Sequence, residues 1–198
     1  MAVYVVTGKL GAGKTLSCID KIKTALFEGR RVATNLDLNL DKLNSSDCTT
    51  PVIRMPDKPR IEDLEAIGYG YPADEPYDES RFGDLVLDEL GTWMNSRAYR
   101  DAERFPVLNW FLHARKYRWN VYLIVQHEEV IDKQLRDSLC EHLVTCSRTD
   151  RMRFLRMKLP AGHMAHVYYG SSSQGMKVDT WYYRGKALYP AYDTGQVF

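Results

Sequence analysis

AVYVVTGKLGAGKT, residues 2–15, passes from an apolar, β-branched run into a glycine-rich turn and then a helix start. Within it Gly8-Lys9-Leu10-Gly11-Ala12-Gly13-Lys14-Thr15 has the spacing G-x-x-x-x-G-K-[ST] of a phosphate-binding loop, the Walker A motif. Gly8, Gly11 and Gly13 lack a Cβ, so the backbone can take positive φ and turn its N–H groups inward around phosphate oxygens. A helix starting there adds its positive end. Lys14 then reaches the β and γ phosphates and the Thr15 hydroxyl ligates Mg²⁺, while Lys9, Leu10, Ala12 and Leu16 complete the segment around the nucleotide. This spacing arises by accident in loops, but seldom directly after an apolar strand and before an amphipathic segment. A nucleotide site is the expectation.

At 198 residues the chain has room for one α/β domain with an insertion, and two full domains would be cramped. Lys plus Arg number 27 against 26 for Asp plus Glu, so no overall basic field announces nucleic acid or anionic lipid, and any such contact is local. Cys18, Cys48, Cys140 and Cys146 form no C-x-x-C pair and have no His at metal-ligand spacing, which fits thiols of a reducing compartment. No basic-then-apolar leader opens the chain, and no run approaches the roughly 18 apolar residues of a membrane span. Those absences predict a soluble, cytosolic chain.

The first strand, rich in valine, reads as one buried on both faces of a parallel sheet. Its helix is expected over about residues 14–28, with Leu16, Ile19, Ile22 and Leu26 at helical spacing and Gly29 at the C-terminal position. Residues 31–35 (RVATN) read as a second strand. From 36 to 81 the pattern weakens into an insertion or long connection, holding one short helix through Ile61, Leu64 and Ile67 closed by Gly68, and then an acidic, turn-rich loop over 69–80.

Periodicity returns at Asp84-Leu85-Val86-Leu87-Asp88-Glu89. A strand ending in Asp-Glu is the second half of an NTPase site: Asp88 holds Mg²⁺ through water and Glu89 polarises the attacking water. Strands often end in acids at a surface, and it is the upstream phosphate loop that gives this pair its meaning. The connector 91–102 (GTWMNSRAYRDA) leaves the ligand-binding edge of the sheet, where Arg97 or Arg100 serves either as an arginine finger toward a neighbouring subunit or as a solvated loop cation. A helix is expected over 105–117, with Pro106 in its first turn and a heavy apolar face of Val107, Trp110, Phe111 and Ala114; His113 within it reads as structural. Residues 119–126 (WNVYLIVQ) form a fourth strand ending in Gln126, read as a γ-phosphate sensor or as a plain strand-end residue. A helix over 129–139 and a fifth strand over 141–147 follow.

Beyond Arg148 a basic cluster with Arg151, Arg153, Arg156 and Lys158 is interleaved with Met152, Phe154 and Leu155, fitting either phosphate and headgroup contacts or a solvated face. Residues 166–169 and 178–183 flank a Ser-rich turn and read as a β-hairpin, whose aromatics either stack bases or pack across the strands. Residues 187–198 lack periodicity and read as an extended tail.

Thr7–Thr15, Ala33-Thr34-Asn35-Leu36-Asp37-Leu38, Met55-Pro56-Asp57-Lys58-Pro59, Leu87-Asp88-Glu89-Leu90-Gly91-Thr92-Trp93, Trp110–Lys116 and the segment 183–194 together resemble the filamentous-phage inner-membrane assembly proteins. These are the gene I products, which share their N-terminal domain with the zonular occludens toxin. The resemblance covers nearly the whole chain, is most specific over 84–151 and thins over 154–165. It implies a cytoplasmic ATPase domain, with ATP and Mg²⁺ as cofactors, that drives extrusion of single-stranded phage DNA while coat protein is added. It further implies attachment at the cytoplasmic face of the host inner membrane and an envelope secretin channel as partner. Family members continue into a membrane span and a periplasmic segment that this sequence does not include.

Together these readings predict one domain over 1–198, with 36–81 as the insertion and 148–198 as a C-terminal β extension. The fold class is an α/β P-loop NTPase with a mainly parallel five-stranded core in the order 5-1-4-3-2, flanked by helices, plus a C-terminal β-hairpin. The site combines Lys14, Thr15, Asp88, Glu89 and Gln126, and the loop arginines with the motor reading favour a homo-oligomeric ring. Two alternatives stay open. Lys9, just after the first glycine, resembles the deviant loop of dimeric partition-type ATPases, although Leu10 replaces the glycine usual there. The other is a nucleotide-dependent switch or scaffold with little turnover.

Overall fold

The structure, a computed structural model, describes residues 3–43, 50–90, 104–126, 133–151, 153–154, 157–158, 162–193 and 196. Its centre is an eight-stranded sheet in the order β10-β9-β6-β1-β5-β4-β2-β3. The strands are β1 Val3–Thr7, β2 Val32–Thr34, β3 Val52–Arg54, β4 Gly83–Leu87, β5 Trp119–Ile124, β6 His142–Arg148, β9 His163–Tyr169 and β10 Lys177–Tyr183. The short β7 Arg153–Phe154 and β8 Met157–Lys158 pair with each other in a separate ribbon. From β6 to β3 every neighbour is parallel, whereas β9 and β10 are added antiparallel on the β6 side. The five expected strands thus occur in the expected order, and the C-terminal hairpin is present.

Alternation along these strands feeds two cores. Val3, Val5, Leu85, Leu87, Val121, Leu123 and Leu143 face one side, where Leu64, Trp110, Phe111 and Trp119 join them. Val6, Val86, Tyr122, Ile124 and Val144 face the other, against Leu16, Ile19, Ile22 and Leu26. The last four belong to α1, Lys14–Phe27. A 14-residue helix is marginal in isolation. Its four apolar anchors are all at most 1% exposed, and at about 2 kcal/mol each their burial outweighs any propensity difference between positions. Beyond Phe27 the chain turns at Gly29, and Arg30 ties it to the sheet by donating to the Phe82 carbonyl (2.9 Å) and to the buried Asp84 carboxylate (2.8 Å). Asn120 gives Asp84 a further bond at 3.0 Å. Burial pushes the Asp84 carboxyl up, and Arg30 opposes that rise.

Three expectations are corrected. The weak segment 36–81 contributes β3, an extra parallel edge strand with Val32, Ala33 and Thr34 opposite Val52, Ile53 and Arg54. Only three residues long, it offers no periodicity to read. The helix expected over 105–117 spans Arg104–Leu112, and residues 113–118 are turns. There Arg118 takes a left-handed φ of 59°, which brings the chain back to start β5 at Trp119 and lets Tyr117 stack on Trp110 at 5.3 Å. The Arg118 guanidinium also donates to the carbonyls of Ala73 (3.0 Å) and Glu75 (2.9 Å), anchoring the acidic, turn-rich loop. Finally, the expected tail is folded. Gly185–Leu188 is a helical turn, Tyr189–Ala191 a 3₁₀ turn, and Leu188 and Ala191 are buried. Asn39 N–H donates to the Ala191 carbonyl (2.8 Å) and Asp193 N–H to that of Asp37 (3.1 Å), so this segment lies against the chain just after β2.

Among the described residues no helix is long and apolar enough to cross a membrane. Arg97 and Arg100, Cys48, Met152, Leu155, Arg156 and the start of the helix expected over 129–139 lie outside them.

Candidate nucleotide-binding site

β1 ends at Thr7 and α1 begins at Lys14, so the glycine-rich turn bridges a buried strand and a helix N-terminus. Gly8, Gly11 and Gly13 all have positive φ, at 149°, 71° and 90°. At Gly13 the requirement is double, because a Cβ would also lie 2.5 Å from Cδ2 of His163. As helix N-cap Gly13 has no side chain to offer the first-turn amides, and that turn contains no acid. The positive helix end is therefore not neutralised from within the helix.

Beside it opens a cleft of about 300 Å³, to which Leu10, Gly11, Gly13, Lys14, Thr15 and Leu16 contribute from the loop and Asp88, Glu89 and Gln126 from the ends of β4 and β5. Lys14 Nζ donates to the Gly8 carbonyl at 3.1 Å, so its ammonium lies back over the loop. Thr15 Oγ1 donates to Asp88 Oδ2 at 2.7 Å. Asp88 is 7% exposed; burial pushes its carboxyl up, against the hydrogen bonds from Thr15 and the Glu89 amide. Successive strand residues point to opposite faces, yet both Asp88 and Glu89 line the cleft. The left-handed conformation of Glu89, φ 54°, breaks the alternation where the strand ends. A non-glycine residue there costs on the order of 1–2 kcal/mol. Gln126 Nε2 donates to Glu89 Oε1 at 3.3 Å, which brings the expected sensor and the expected base into contact.

Of the other sequence candidates, Gly8, Lys9 and Ala12 belong to the loop without lining the cleft: Ala12 is buried, and its N–H closes the turn onto the Lys9 carbonyl at 2.9 Å. Lys9 is exposed. His113, in the turn just after the Arg104–Leu112 helix, contacts the Asn109 carbonyl through Nδ1 at 2.8 Å and does not line the cleft. Arg148 of the basic cluster is paired with Asp150 (Nε to Oδ1, 2.9 Å). The hairpin aromatics divide: Trp181 packs on Tyr4 at 5.6 Å under the Lys21 ammonium, whereas Tyr182 is exposed.

Residues absent from the sequence reading complete the site. Asn35, fully buried at the end of β2, accepts from the Asp88 N–H (2.8 Å) and donates to the Asp88 carbonyl (3.1 Å), clamping the backbone of the acidic pair. Its own carbonyl accepts from Gln196 Nε2 at 2.9 Å, while Gln196 Oε1 accepts from Asp37 N–H at 2.9 Å. His163, Tyr189, Tyr192, Asp193 and Gln196 all line the cleft. The one signal for Asn35 in the sequence is a polar residue closing an otherwise apolar strand. Asn35→Ala leaves two buried backbone groups unpaired at about 1–3 kcal/mol each, so a loss of about 2–6 kcal/mol is expected in a denaturant titration. An unchanged midpoint would show that the clamp contributes nothing.

Residues 2–196 match the family described as "Zonular occludens toxin (Zot)". The "Gene 1 protein" of Escherichia phage If1 is 48% identical over 213 residues, covering 100% of this chain and 60% of that protein. Among solved structures, the N-terminal domain of zonular occludens toxin from Neisseria meningitidis superposes with a TM-score of 0.56 at 16% identity, covering 97% of this chain and 98% of that one. The genome packaging NTPase B204 of Sulfolobus turreted icosahedral virus 2, in complex with ATP-gammaS, does so with a TM-score of 0.52 at 10% identity, covering 92% and 97%. At these identities the structural likeness concerns the fold alone. With nearly its whole length matched, the chain belongs to the zonular occludens toxin (Zot) family.

Proposed function

We propose that this chain is the ATP-hydrolysing part of a filamentous-phage assembly machine, acting at the cytoplasmic face of the host inner membrane to drive export of single-stranded phage DNA as coat protein is added. It spans 60% of the length of the gene 1 protein of phage If1, so the activity of the whole protein is part of the proposal. The observation that carries the reading is the convergence of Lys14, Thr15, Asp88, Glu89 and Gln126 on one cleft at the N-terminus of α1. The likeness of the fold to a genome packaging NTPase agrees with it.

In this reading the loop amides and Lys14 bind the β and γ phosphates of ATP. The Thr15 hydroxyl and Asp88 carboxylate, hard oxygen donors 2.7 Å apart, fit Mg²⁺. When bound, Mg²⁺ neutralises charge developing on the phosphate oxygens. Glu89 draws a proton from the attacking water, and Gln126, bonded to Glu89, orients that water and senses the γ phosphate. Arg97 or Arg100 reaches a neighbouring subunit's nucleotide in a ring, and an envelope secretin receives the exported particle. The interposition of β5 between β1 and β4 supports this subclass over the partition-type alternative resting on Lys9.

Phosphate release from Mg–ATP, measured with and without single-stranded DNA, coat protein and membrane vesicles, is the test. Turnover stimulated by one of these is expected. Tight ATP binding with no release under any condition would replace the motor with a nucleotide-dependent switch.

A further inference from the structure

The phosphate cleft does not end at the loop. A second, larger cleft of about 1020 Å³ adjoins it, and His163 and Tyr189 line both. Its other walls include Lys23 of α1, Arg148 at the end of β6, Asp150 just beyond it, and Gly185. The two clefts differ in chemistry. The first holds Lys14, Thr15 and the carboxylates of Asp88, Glu89 and Asp193 beside a helix N-terminus, groups suited to phosphate and a divalent cation, while the second sets the aromatic rings of Tyr182, Tyr183 and Tyr189 among Lys23, Arg184, Lys186 and the Arg148–Asp150 pair.

Topology sets the direction between them. Asp88 and Glu89 follow β4, on one side of β1, whereas β6 and β9, which carry Arg148 and His163, lie on the other. A nucleotide whose terminal phosphate sits by Asp88 and Glu89 must therefore run its nucleoside across the N-terminus of α1 toward His163 and Tyr189. Both rings are held for the purpose. His163 stacks on Tyr183 (5.5 Å, 15° between planes), lies against Gly13, and is only 9% exposed. Its Nδ1 is buried without a hydrogen-bond partner among the described residues. The Tyr189 ring lies over Gly185, where an added Cβ would come within 2.4 Å of it, yet the residue remains 47% exposed. An exposed aromatic face fixed beside a phosphate site is a stacking surface for a base.

We propose that the passage between His163 and Tyr189, opening toward Arg148, is the nucleoside subsite, with Tyr189 stacking on the base and Gly185 keeping its ring in place. This rests on the nucleotide reading above. The segment expected to be a tail then becomes part of the binding site.

The test compares Mg–ATP with Mg–tripolyphosphate, which has the phosphates and no nucleoside, by calorimetric titration of the full chain. Tyr189→Ala is expected to weaken ATP roughly 5- to 150-fold, the range given by loss of one base–aromatic stack, and to leave tripolyphosphate within twofold. Gly185→Ala, which displaces the ring, should follow Tyr189→Ala, and Tyr189→Phe, which keeps it, should restore ATP affinity. Undiminished ATP affinity in Tyr189→Ala would overturn the subsite, as would equal losses for both ligands. Failure of the unsubstituted chain to bind either ligand would instead refute the nucleotide reading, and the subsite with it. Tripolyphosphate binding alone, without added affinity for ATP, would leave the phosphate loop standing and remove the subsite.

Discussion

Glu89→Gln is expected to retain Mg–ATP binding and to lose turnover by about 10²- to 10⁴-fold, the usual contribution of a positioned general base. The substitution isolates charge because the geometry survives it. Glutamine keeps an oxygen to accept from Gln126 Nε2, now 3.3 Å from Glu89 Oε1, and the backbone N–H that donates to Asp88 Oδ1 at 2.7 Å is untouched. The left-handed conformation at this position is no harder for glutamine than for glutamate. One electrostatic effect runs the other way. The Glu89 charge helps to hold the Asp88 carboxyl up, so its removal lets Asp88 ionise more readily and also lessens repulsion of the anionic triphosphate. ATP affinity in the variant should equal or exceed that of the parent. Steady-state phosphate release beside equilibrium nucleotide binding reads both halves, and turnover within tenfold of the parent would remove Glu89 from the mechanism.

Lys14→Ala should act at the opposite step, with binding lost and no turnover left to measure. The Lys14 ammonium lies against the Gly8 carbonyl at 3.1 Å, half-buried, within reach of the cleft that it lines. Charge-assisted hydrogen bonds to phosphate contribute about 1.5–3 kcal/mol each, so two of them correspond to a loss of roughly 10²- to 10⁴-fold in ATP affinity. Folding should change little, since the side chain is not part of either apolar core. The discriminating result is an intact thermal transition that no longer shifts with added Mg–ATP. A shift equal to the parent's would mean that the loop does not hold the nucleotide through this lysine.

Both variants target residues that local pattern alone singled out. A valine-rich strand, a glycine turn and a lysine at fixed spacing lie within fifteen consecutive residues, and the same holds for the strand that ends in Asp88 and Glu89. Short-range rules of this kind are properties of contiguous chain, and the order of the parallel strands followed from them together with the family resemblance. The edge strand Val52–Arg54 escaped because three residues between prolines carry no period, and it exists only because β2 offers an edge to pair with.

The amino-acid order thus determined the glycine-rich loop, the acidic strand end and the sheet that carries them, since each depends on neighbours in sequence. Tertiary structure alone decided which distant residues meet there. Thr15 meets Asp88 across 73 positions, Asn35 clamps Asp88 across 53, and Gln196 returns to Asn35 across 161. An amide such as Asn35 looks the same in sequence whether it faces water or buried backbone. Likewise, Gly185-Lys186-Ala187-Leu188-Tyr189 has too few apolar positions to announce that Leu188 is buried and that Tyr189 is thereby set at the mouth of the cleft. A contact between segments so far apart is specified by the shape of the packed core, in which α1 covers the sheet and the segment after β10 lies against the chain just after β2.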